Sequence, residues 1–584
     1  MPRTHFAGLA LLLTALAPSL TGQWSTDAAA NLAVGDSASD QNQAKLEPTD
    51  DGGVWVSWFD GIGSGWDVRV QKLDIGGGEV LAHNGVLVAD RSFSSTQDYG
   101  LDTDVDGNAL LAYRDDQGVG TQIGVNKVLP DGSLPWGAAG VQVTSTGTFV
   151  AAPKVAGTSD GLIVVAWTEG SSVKVQTLDG NGGAMGGTQT FTPGVGSFSV
   201  SDMHDTGDDV ILSFVHQTGG FGSPRLLRAH KIDASTGALV WGGAPKEIFN
   251  AGSLQFGNFP SFTPDGTGGA VFSWYDTGSL ALQCFVQRLA SNGTPAFPVG
   301  GVACSTNAVR IRVSPSAAYD ASTGETTAFW VEQNSSQSQS GLYGQRFDAA
   351  GARQWTDDGL EVVALGGDSI TQVNHLTNAD GSLIVWNRAP GFATDVLLSA
   401  IVSPAGAVVQ SGQDVASTAS DKSRLAMVRT ASGTAALAWK DQRTDGGDIY
   451  SQNVNEDGTL GPRWNDLGGA ISGANGVPTL TGSGPLTAGS NVALSLVDGP
   501  SSDFALLWIS LSSTPLNFFS GTVHALPFTS QITLFTSPSG GVAGGTAFPP
   551  GFPSATPLWF QFVLQDPSVF WGITLSNALR AETP

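Results

Sequence analysis

The feature that most limits the fold of this 584-residue chain is a short apolar segment that ends in an aromatic residue and recurs eight times. From Trp58 to Trp439, adjacent copies lie about 54 residues apart. The eight segments are Val54–Trp58, Ala109–Tyr113, Ile163–Trp167, Val210–Phe214, Ala270–Trp274, Thr326–Trp330, Leu383–Trp386 and Ala435–Trp439. A regular period of this length indicates a chain built from repeated supersecondary units.

A second landmark follows each aromatic residue at a distance of about 13 positions in most units. It is a polar residue inside another strand-like segment: Gln71, Asn126, Gln176, His230, Gln287, Gln345, Ser399 or Gln452. Tight turns containing Gly, Asp or Asn separate the segments of a unit, so each unit predicts four antiparallel strands.

Four strands in a unit of this length predict a blade of a β-propeller. The segment Ile163–Ala166 is apolar at every position, as expected for a strand that is covered on both faces by neighbouring blades. Eight copies favour an eight-bladed ring, and seven blades are the alternative. The segment from Trp24 to Val34 resembles a last strand without a unit of its own, so we expect it to complete the final blade.

The composition agrees with an all-β chain. It contains 78 Gly, 16 Trp and 28 Phe, and only 13% of its residues are charged. Glycine supplies turns and aromatic residues favour strands. The net charge of −25 disfavours binding to nucleic acid or to an anionic membrane surface, because both are polyanions.

Four regions follow from these patterns. Residues 1–22 have Arg3 before an apolar run at 6–13 and are predicted to be a signal peptide, which makes the protein secreted or cell-surface. No run is long enough for a membrane helix. The propeller is assigned to 23–468, a Gly- and Ser-containing linker to 469–478, and a β-sandwich-like module to 479–584.

The C-terminal region also carries a resemblance. The residues Trp559–Gln561, Gln565–Asp566 and Ser576–Arg580 resemble a short β module that recurs on exported bacterial proteins. The preceding units resemble exported bacterial propeller repeats that have no named activity. The resemblance implies attachment, sorting or packing as the role of the module.

The two cysteines, Cys284 and Cys304, fall in one repeat on segments that we expect to be neighbouring strands. In an exported protein this placement predicts a disulfide bond, and two buried free thiols are the alternative.

Asp102, Asp104 and Asp106 precede Gly107 with the spacing of a calcium-binding loop. Position twelve of that loop should be a bidentate Glu, but Tyr113 stands there. The repeat register instead makes this segment the hairpin turn before an aromatic strand. We therefore prefer a turn, with calcium as the alternative, and no other cofactor is predicted.

Carboxylates follow several aromatic strands, where they would lie on the rim of the ring: Asp60, Asp115, Asp116, Glu169, Asp276, Glu332 and Asp441. Asp and Glu at strand exits commonly accept backbone hydrogen bonds. The sequence therefore favours a monomeric, non-catalytic binding or surface-scaffold protein whose partner is an unidentified protein or glycan. The alternative is a carbohydrate-active enzyme, a glycoside hydrolase or lyase, with its site on the rim.

Overall fold

A computed structural model of the chain describes residues 24–62, 65–91, 99–115, 120–144, 148–277, 282–484, 486, 488–553 and 556–583. These residues form strands and turns, and none of them belongs to a helix. The same residues accordingly include no helix that could cross a membrane. The predicted signal peptide, 1–22, lies outside the described residues.

Eight four-stranded antiparallel sheets, here blades 1 to 8, account for the described residues of the repeat region. The first strand of the chain, β1, spans Leu32–Gly35. Blade 1 contains β2 (Gln41–Pro48), β3 (Val54–Asp60), β4 (Asp67–Leu73) and β5 (Val86–Ala89). Blade 2 contains β6 (Gly100–Thr103), β7 (Ala109–Asp115), β8 (Gln122–Val128) and β9 (Val141–Gln142). Blade 3 contains β10 (Val150–Gly157), β11 (Ile163–Glu169), β12 (Ser172–Leu178) and β13 (Ala184–Phe191).

The later blades repeat this arrangement. Blade 4 contains β14 (Ser197–Asp205), β15 (Asp209–Gln217), β16 (Arg225–Asp233) and β17 (Lys246–Phe249). Blade 5 contains β18 (Phe262–Pro264), β19 (Ala270–Asp276), β20 (Gln283–Leu289) and β21 (Val302–Ala303). Blade 6 contains β22 (Ile311–Asp320), β23 (Glu325–Gln333), β24 (Ser340–Phe347) and β25 (Leu360–Gly366). Blade 7 contains β26 (Ser369–Asn378), β27 (Gly381–Ala389), β28 (Asp395–Val402) and β29 (Val408–Ser420), and blade 8 contains β30 (Lys422–Arg429), β31 (Ala435–Asp441), β32 (Asp448–Val454) and β1.

The eight predicted aromatic segments are the second strands of the eight blades. Their two faces pack against different neighbours, as the apolar pattern of β11 predicts. Ile163 and Val165 lie in a core shared with blade 2, whereas Val164 and Ala166 lie in a core shared with blade 4. The propeller and its eight aromatic strands are therefore confirmed.

The N-terminal segment closes the ring. Strand β1 pairs antiparallel with β32, with Leu32 opposite Ser451. The side-chain amide of Gln452 donates to Ser25 O at 3.1 Å, just as the amide of Gln71 donates to Ala82 O at 3.0 Å within blade 1. The first strand thus supplies the outer edge of blade 8, and the ring has eight blades rather than seven.

The strand order defines two faces of the ring. The first strand of each blade lies at the axis, and it joins the second strand through a tight turn. These turns mark what we call the turn face. The loops between second and third strands, and the connections between blades, lie on the opposite face, which we call the loop face.

The C-terminal module is a sandwich of two sheets with a common apolar core. One sheet has the order β33 (Trp464–Asp466), β42 (Ile573–Glu582), β41 (Pro557–Gln565), β36 (Phe504–Ser510) and β39 (Ser530–Phe535). The other has the order β34 (Thr479–Ser483), β35 (Asn491–Val497) and β40 (Val542–Ala547), and β37 (Leu516–Phe518) forms a hairpin with β38 (Gly521–Val523).

The module begins earlier in the chain than the predicted boundary at residue 468. Strand β33 pairs with β42, and the Trp464 indole donates to Gly484 O at 3.1 Å. The predicted linker, 469–478, contributes Ile471 to a second core of the module, where this residue pairs with Leu575. Trp464 occupies the position of a repeat tryptophan in sequence, but its packing places it in the sandwich.

Cys284 lies in β20, and Cys304 directly follows the neighbouring strand β21. The amide of Cys304 donates to Cys284 O at 2.9 Å, and both side chains are buried as free thiols. Burial raises the pKa of Cys304 to about 12. The disulfide bond between them stays a prediction.

Candidate functional site

The inner strands share an unusual backbone feature where they begin at the loop face. In five of them the pairing with the second strand skips two residues, which is a β-bulge. Each bulge contains one non-glycine residue with a positive φ: Gln43, Ala152, Ser314, Gln372 or Arg424. Residues held in this strained region cluster at ligand-binding and catalytic sites.

The bulges surround the loop-face end of the axial channel, where a cavity of about 880 Å³ lies. Blades 1, 5, 7 and 8 all line it, so it sits on the axis of the ring. The described lining consists of amides, hydroxyls, three cationic side chains and two apolar ones, without an Asp or Glu: Asn42, Gln43, Ala44, Lys45, Ser261, Gln372, Asn374, Ser423, Arg424, Leu425 and Lys440. This cationic lining is notable in a chain with a net charge of −25.

Arg424 is the most available of the three cations. Its side chain is exposed in the channel, and among the described residues it makes no ion pair or hydrogen bond. The neighbouring Gln372 is fixed, because its Oε1 accepts the Leu425 amide at 2.8 Å. Lys440 Nζ lies 3.9 Å from Asp40 at the edge of the channel. The arrangement presents one unpaired guanidinium beside fixed amide groups, which is a recognition geometry for a planar anion such as a carboxylate.

Towards the turn face the channel becomes acidic. Burial among the inner strands, and then the charge of Asp205, raise the pKa of Asp102 to about 7. Burial and the charges of Asp102 and Asp205 raise the pKa of Glu47 well above its ordinary value. Burial alone would lower the pKa of His204, but Asp202, at 3.1 Å from the ring, outweighs it and raises this pKa. The channel therefore has a cationic end at the loop face and a titratable acidic end at the turn face.

The loop face also carries the exposed aromatic residues of the propeller. Among its described residues, five phenylalanines are largely exposed, all in loops on this face: Phe149, Phe221, Phe256, Phe259 and Phe392. The rings of Phe221 and Phe256 are 5.7 Å apart, and the Arg225 guanidinium lies 4.4 Å from the ring of Phe256. Exposed aromatic residues on one face, together with arginine, are typical of a binding surface.

The described rim carboxylates of the sequence analysis all have hydrogen-bond or ion-pair partners. The indole N–H donors of Trp167, Trp330 and Trp439 bond the acid two residues later. Asp441 is fully buried and lies 3.3 Å from Lys422 Nζ. Asp60 forms an ion pair with Arg69, and Asp115 accepts a hydrogen bond from Gln142. Asp276 accepts the backbone amide of Ser253. Asp116 lies outside the described residues. Each described rim acid is thus engaged by its own blade or, for Asp276, by the connection that precedes its blade.

The three aspartates of the calcium alternative have different environments. Asp104 bonds Lys127 Nζ at 2.8 Å and accepts the Asn108 amide, which makes it a turn residue. Asp106 is exposed. Asp102 reaches across to blade 3 and accepts the Gly157 amide at 3.2 Å. No three His, Cys, Asp or Glu side chains in the described part of the chain group closely enough to hold a metal ion. Calcium here stays a prediction.

Sequence reasoning singled out Asp102 but missed Glu47, Lys45 and Arg424. A usable signal existed in the repeats. Counting back from the Asp–Gly turns of blades 1 and 2 places Glu47 and Asp102 at the same position of their inner strands. The same count places Lys45 and Lys154 at one position in blades 1 and 3. Only the ring geometry, however, brings these positions together around the axis.

Comparison with known proteins adds little beyond the fold. No protein-family model matches the chain, and no curated protein matches it. Among solved structures, the Dos1 propeller is 14% identical over 74% of this chain and 94% of its own, with a TM-score of 0.38. The polysaccharide lyase Uly1 is 11% identical over 73% of this chain and 92% of its own, with a TM-score of 0.39. An α-L-arabinofuranosidase from Clostridium thermocellum is 15% identical over 43% of this chain and 92% of its own, with a TM-score of 0.26. Similarity at this level carries no functional argument.

Proposed function

We propose that this protein is a non-catalytic binding protein that holds an acidic glycan on its loop face. In this proposal an anionic group of the glycan enters the cationic end of the axial channel. The cavity around Arg424, with its three cations and no carboxylate among the described lining, is the observation that carries the proposal.

The rest of the lining supports a polyhydroxylated ligand. Side-chain amides and hydroxyls surround the cations and can donate to and accept from sugar hydroxyls. The exposed phenyl rings of the same face offer apolar surfaces on which sugar rings can lie. A carboxylated or sulfated saccharide satisfies both features at once.

Two observations favour binding over catalysis at the rim. The described rim acids are occupied by indole, guanidinium, ammonium or amide donors. Each of these described acids lies in a separate blade. We also propose that the protein is exported, to the medium or to the cell surface, and acts as a monomer. The proposal of export rests on the signal-peptide features of residues 1–22.

A carbohydrate-active enzyme is the second candidate, and one observation favours it. The pKa of Asp102 is raised to about 7, which keeps part of this carboxyl protonated near neutral pH, and Glu47 is shifted in the same direction. A raised pKa of this kind is what a general acid requires. Such a site would lie inside the channel and not on the rim.

Calorimetric titration tests the binding proposal. The ligands are oligogalacturonate, which carries a carboxylate on each sugar, and a neutral maltooligosaccharide of equal length. We expect the parent to bind the acidic ligand only, and more weakly as salt rises. Arg424→Gln should weaken binding by about ten- to a hundredfold, because a hydrogen bond to a charged group contributes about 1.5–3 kcal/mol.

The matched control is Lys174→Gln, which removes a positive charge from strand β12, away from the channel. This variant should bind like the parent. Equal affinity for the neutral ligand, or no effect of Arg424→Gln, would contradict the proposal. Release of reducing ends by the parent, abolished in Asp102→Asn, would favour the enzyme instead.

A further inference from the structure

The C-terminal module contains an apolar cavity of about 470 Å³ between its two sheets. The inward-facing residues of β35, β36 and β41 form its walls, and the edge strands β39 and β40 border it. The described lining is apolar except for the hydroxyls of Ser530 and Thr546, and it contains no charged side chain. This volume falls in the range of about 300–1,000 Å³ that is typical of small-molecule sites.

The cavity exists because β40 lacks side chains where the sandwich needs them. Gly544 pairs with Leu494, which packs on the core, so position 544 faces inward. A Cβ atom added at Gly544 would meet nothing within 4 Å. A glycine inside a strand often marks a close approach by a ligand or another backbone. Here it leaves open space in an otherwise packed core.

The polarity of the lining restricts the chemical class of the occupant. Apolar cavities do not hold ordered water well, but they do take up hydrocarbons. Ser530 begins β39 and Thr546 lies near the end of β40, so both hydroxyls lie at the ends of these edge strands that are opposite the connection at 536–541. They can hydrogen-bond one small polar head, while the rest of the cavity accepts only an apolar body.

We propose that the C-terminal module binds a long acyl chain between its sheets, with the polar head of the ligand beside Ser530 and Thr546. The chain replaces the missing side chains of β40 and contacts Leu494, Leu507 and Phe560. This site is independent of the glycan site on the propeller.

Fluorescence titration of the full-length protein with cis-parinaric acid, a long-chain fatty acid whose emission rises in apolar surroundings, tests the proposal. The parent should show saturable binding to one site. Gly544→Leu should weaken binding at least tenfold, because the new side chain fills the cavity. It should not unfold the module, because its Cβ meets no atom within 4 Å and Gly544 does not require a positive φ.

Gly187→Leu is the matched control. Gly187 lies in an exposed outer strand of blade 3, also with nothing within 4 Å, and this variant should bind like the parent. An unchanged thermal midpoint of Gly544→Leu would show that lost binding is not lost folding. No saturable binding by the parent, or unchanged binding by Gly544→Leu, would overturn the proposal.

A second arm distinguishes two sources of the acyl chain. The protein is sedimented with phosphatidylcholine vesicles that contain no free fatty acid. Co-sedimentation that is lost in Gly544→Leu would assign the chain to a membrane lipid. Binding of the free acid without co-sedimentation would assign it to a soluble fatty acid. Co-sedimentation that persists in Gly544→Leu would place lipid contact outside this cavity and count against the proposal.

Discussion

Replacing Asp102 by Asn should make the propeller more stable at pH 8 and leave it unchanged near pH 4. The folded state raises the pKa of this carboxyl from 3.8 to about 7, chiefly through burial. The folded protein therefore binds the proton more tightly than the unfolded chain, so this group's contribution to stability is lost as pH rises through that window. Asn cannot ionise, and its single side-chain oxygen can still accept one of the two backbone amides, those of Thr103 and Gly157, that bond different oxygens of the carboxylate.

The magnitude follows from the shift. About 3 pKa units at 1.36 kcal/mol per unit give a ceiling of about 4 kcal/mol. Solvent in the channel screens part of this energy, and Asp205 shares the interaction, so we expect a gain of about 1–3 kcal/mol at pH 8.

Urea unfolding followed by tryptophan fluorescence at the two pH values measures this difference. The control is Asp106→Asn, which alters an exposed carboxyl of the same blade and should shift stability little at either pH. If Asp102→Asn changes the free energy of unfolding equally at pH 4 and pH 8, the proposed burial of a charged carboxylate in the channel is refuted.

Three further predictions concern the packing of the ring. Gly157→Ala should cost about 1–3 kcal/mol in urea unfolding, because its Cβ would collide with the Thr103 carbonyl of the preceding blade, whereas Gly187→Ala should cost less than about 1 kcal/mol. Asp441→Ala should cost about 3–5 kcal/mol in the same assay, because it leaves a buried ammonium unpaired; wild-type stability would show that this rim acid is not structural. Deleting residues 24–35 should lower the thermal midpoint and promote aggregation, seen by light scattering, because β32 becomes an open edge; an unchanged midpoint would contradict closure by β1.

The propeller could be predicted because its second strands have a clear apolar pattern. Strand β11 is apolar on both faces, since blades cover it from both sides, and that pattern survives in the sequence. The inner strands carry no such signature. Strand β2 has the polar sequence QNQAKLEP, which resembles a loop, because one edge of this strand faces the axial channel.

The candidate site and the module boundary were harder to predict, because both depend on contacts between segments that are distant in sequence. Arg424 becomes part of a site only when four blades meet at the axis, which no local pattern encodes. Trp464 follows a repeat-like turn, and only its contact with Gly482 of the sandwich reveals its true partner. The apolar cavity is open because Gly544 has no side chain, and a single glycine is not a distinctive signal in a glycine-rich sequence.

The most direct measurement is a crystal structure of the protein soaked with oligogalacturonate. We expect density for a carboxylate within hydrogen-bonding distance of the Arg424 guanidinium, with sugar rings extending over the loop face. Density on the turn face or along the outer strands, with the channel mouth empty at saturating ligand, would contradict the account.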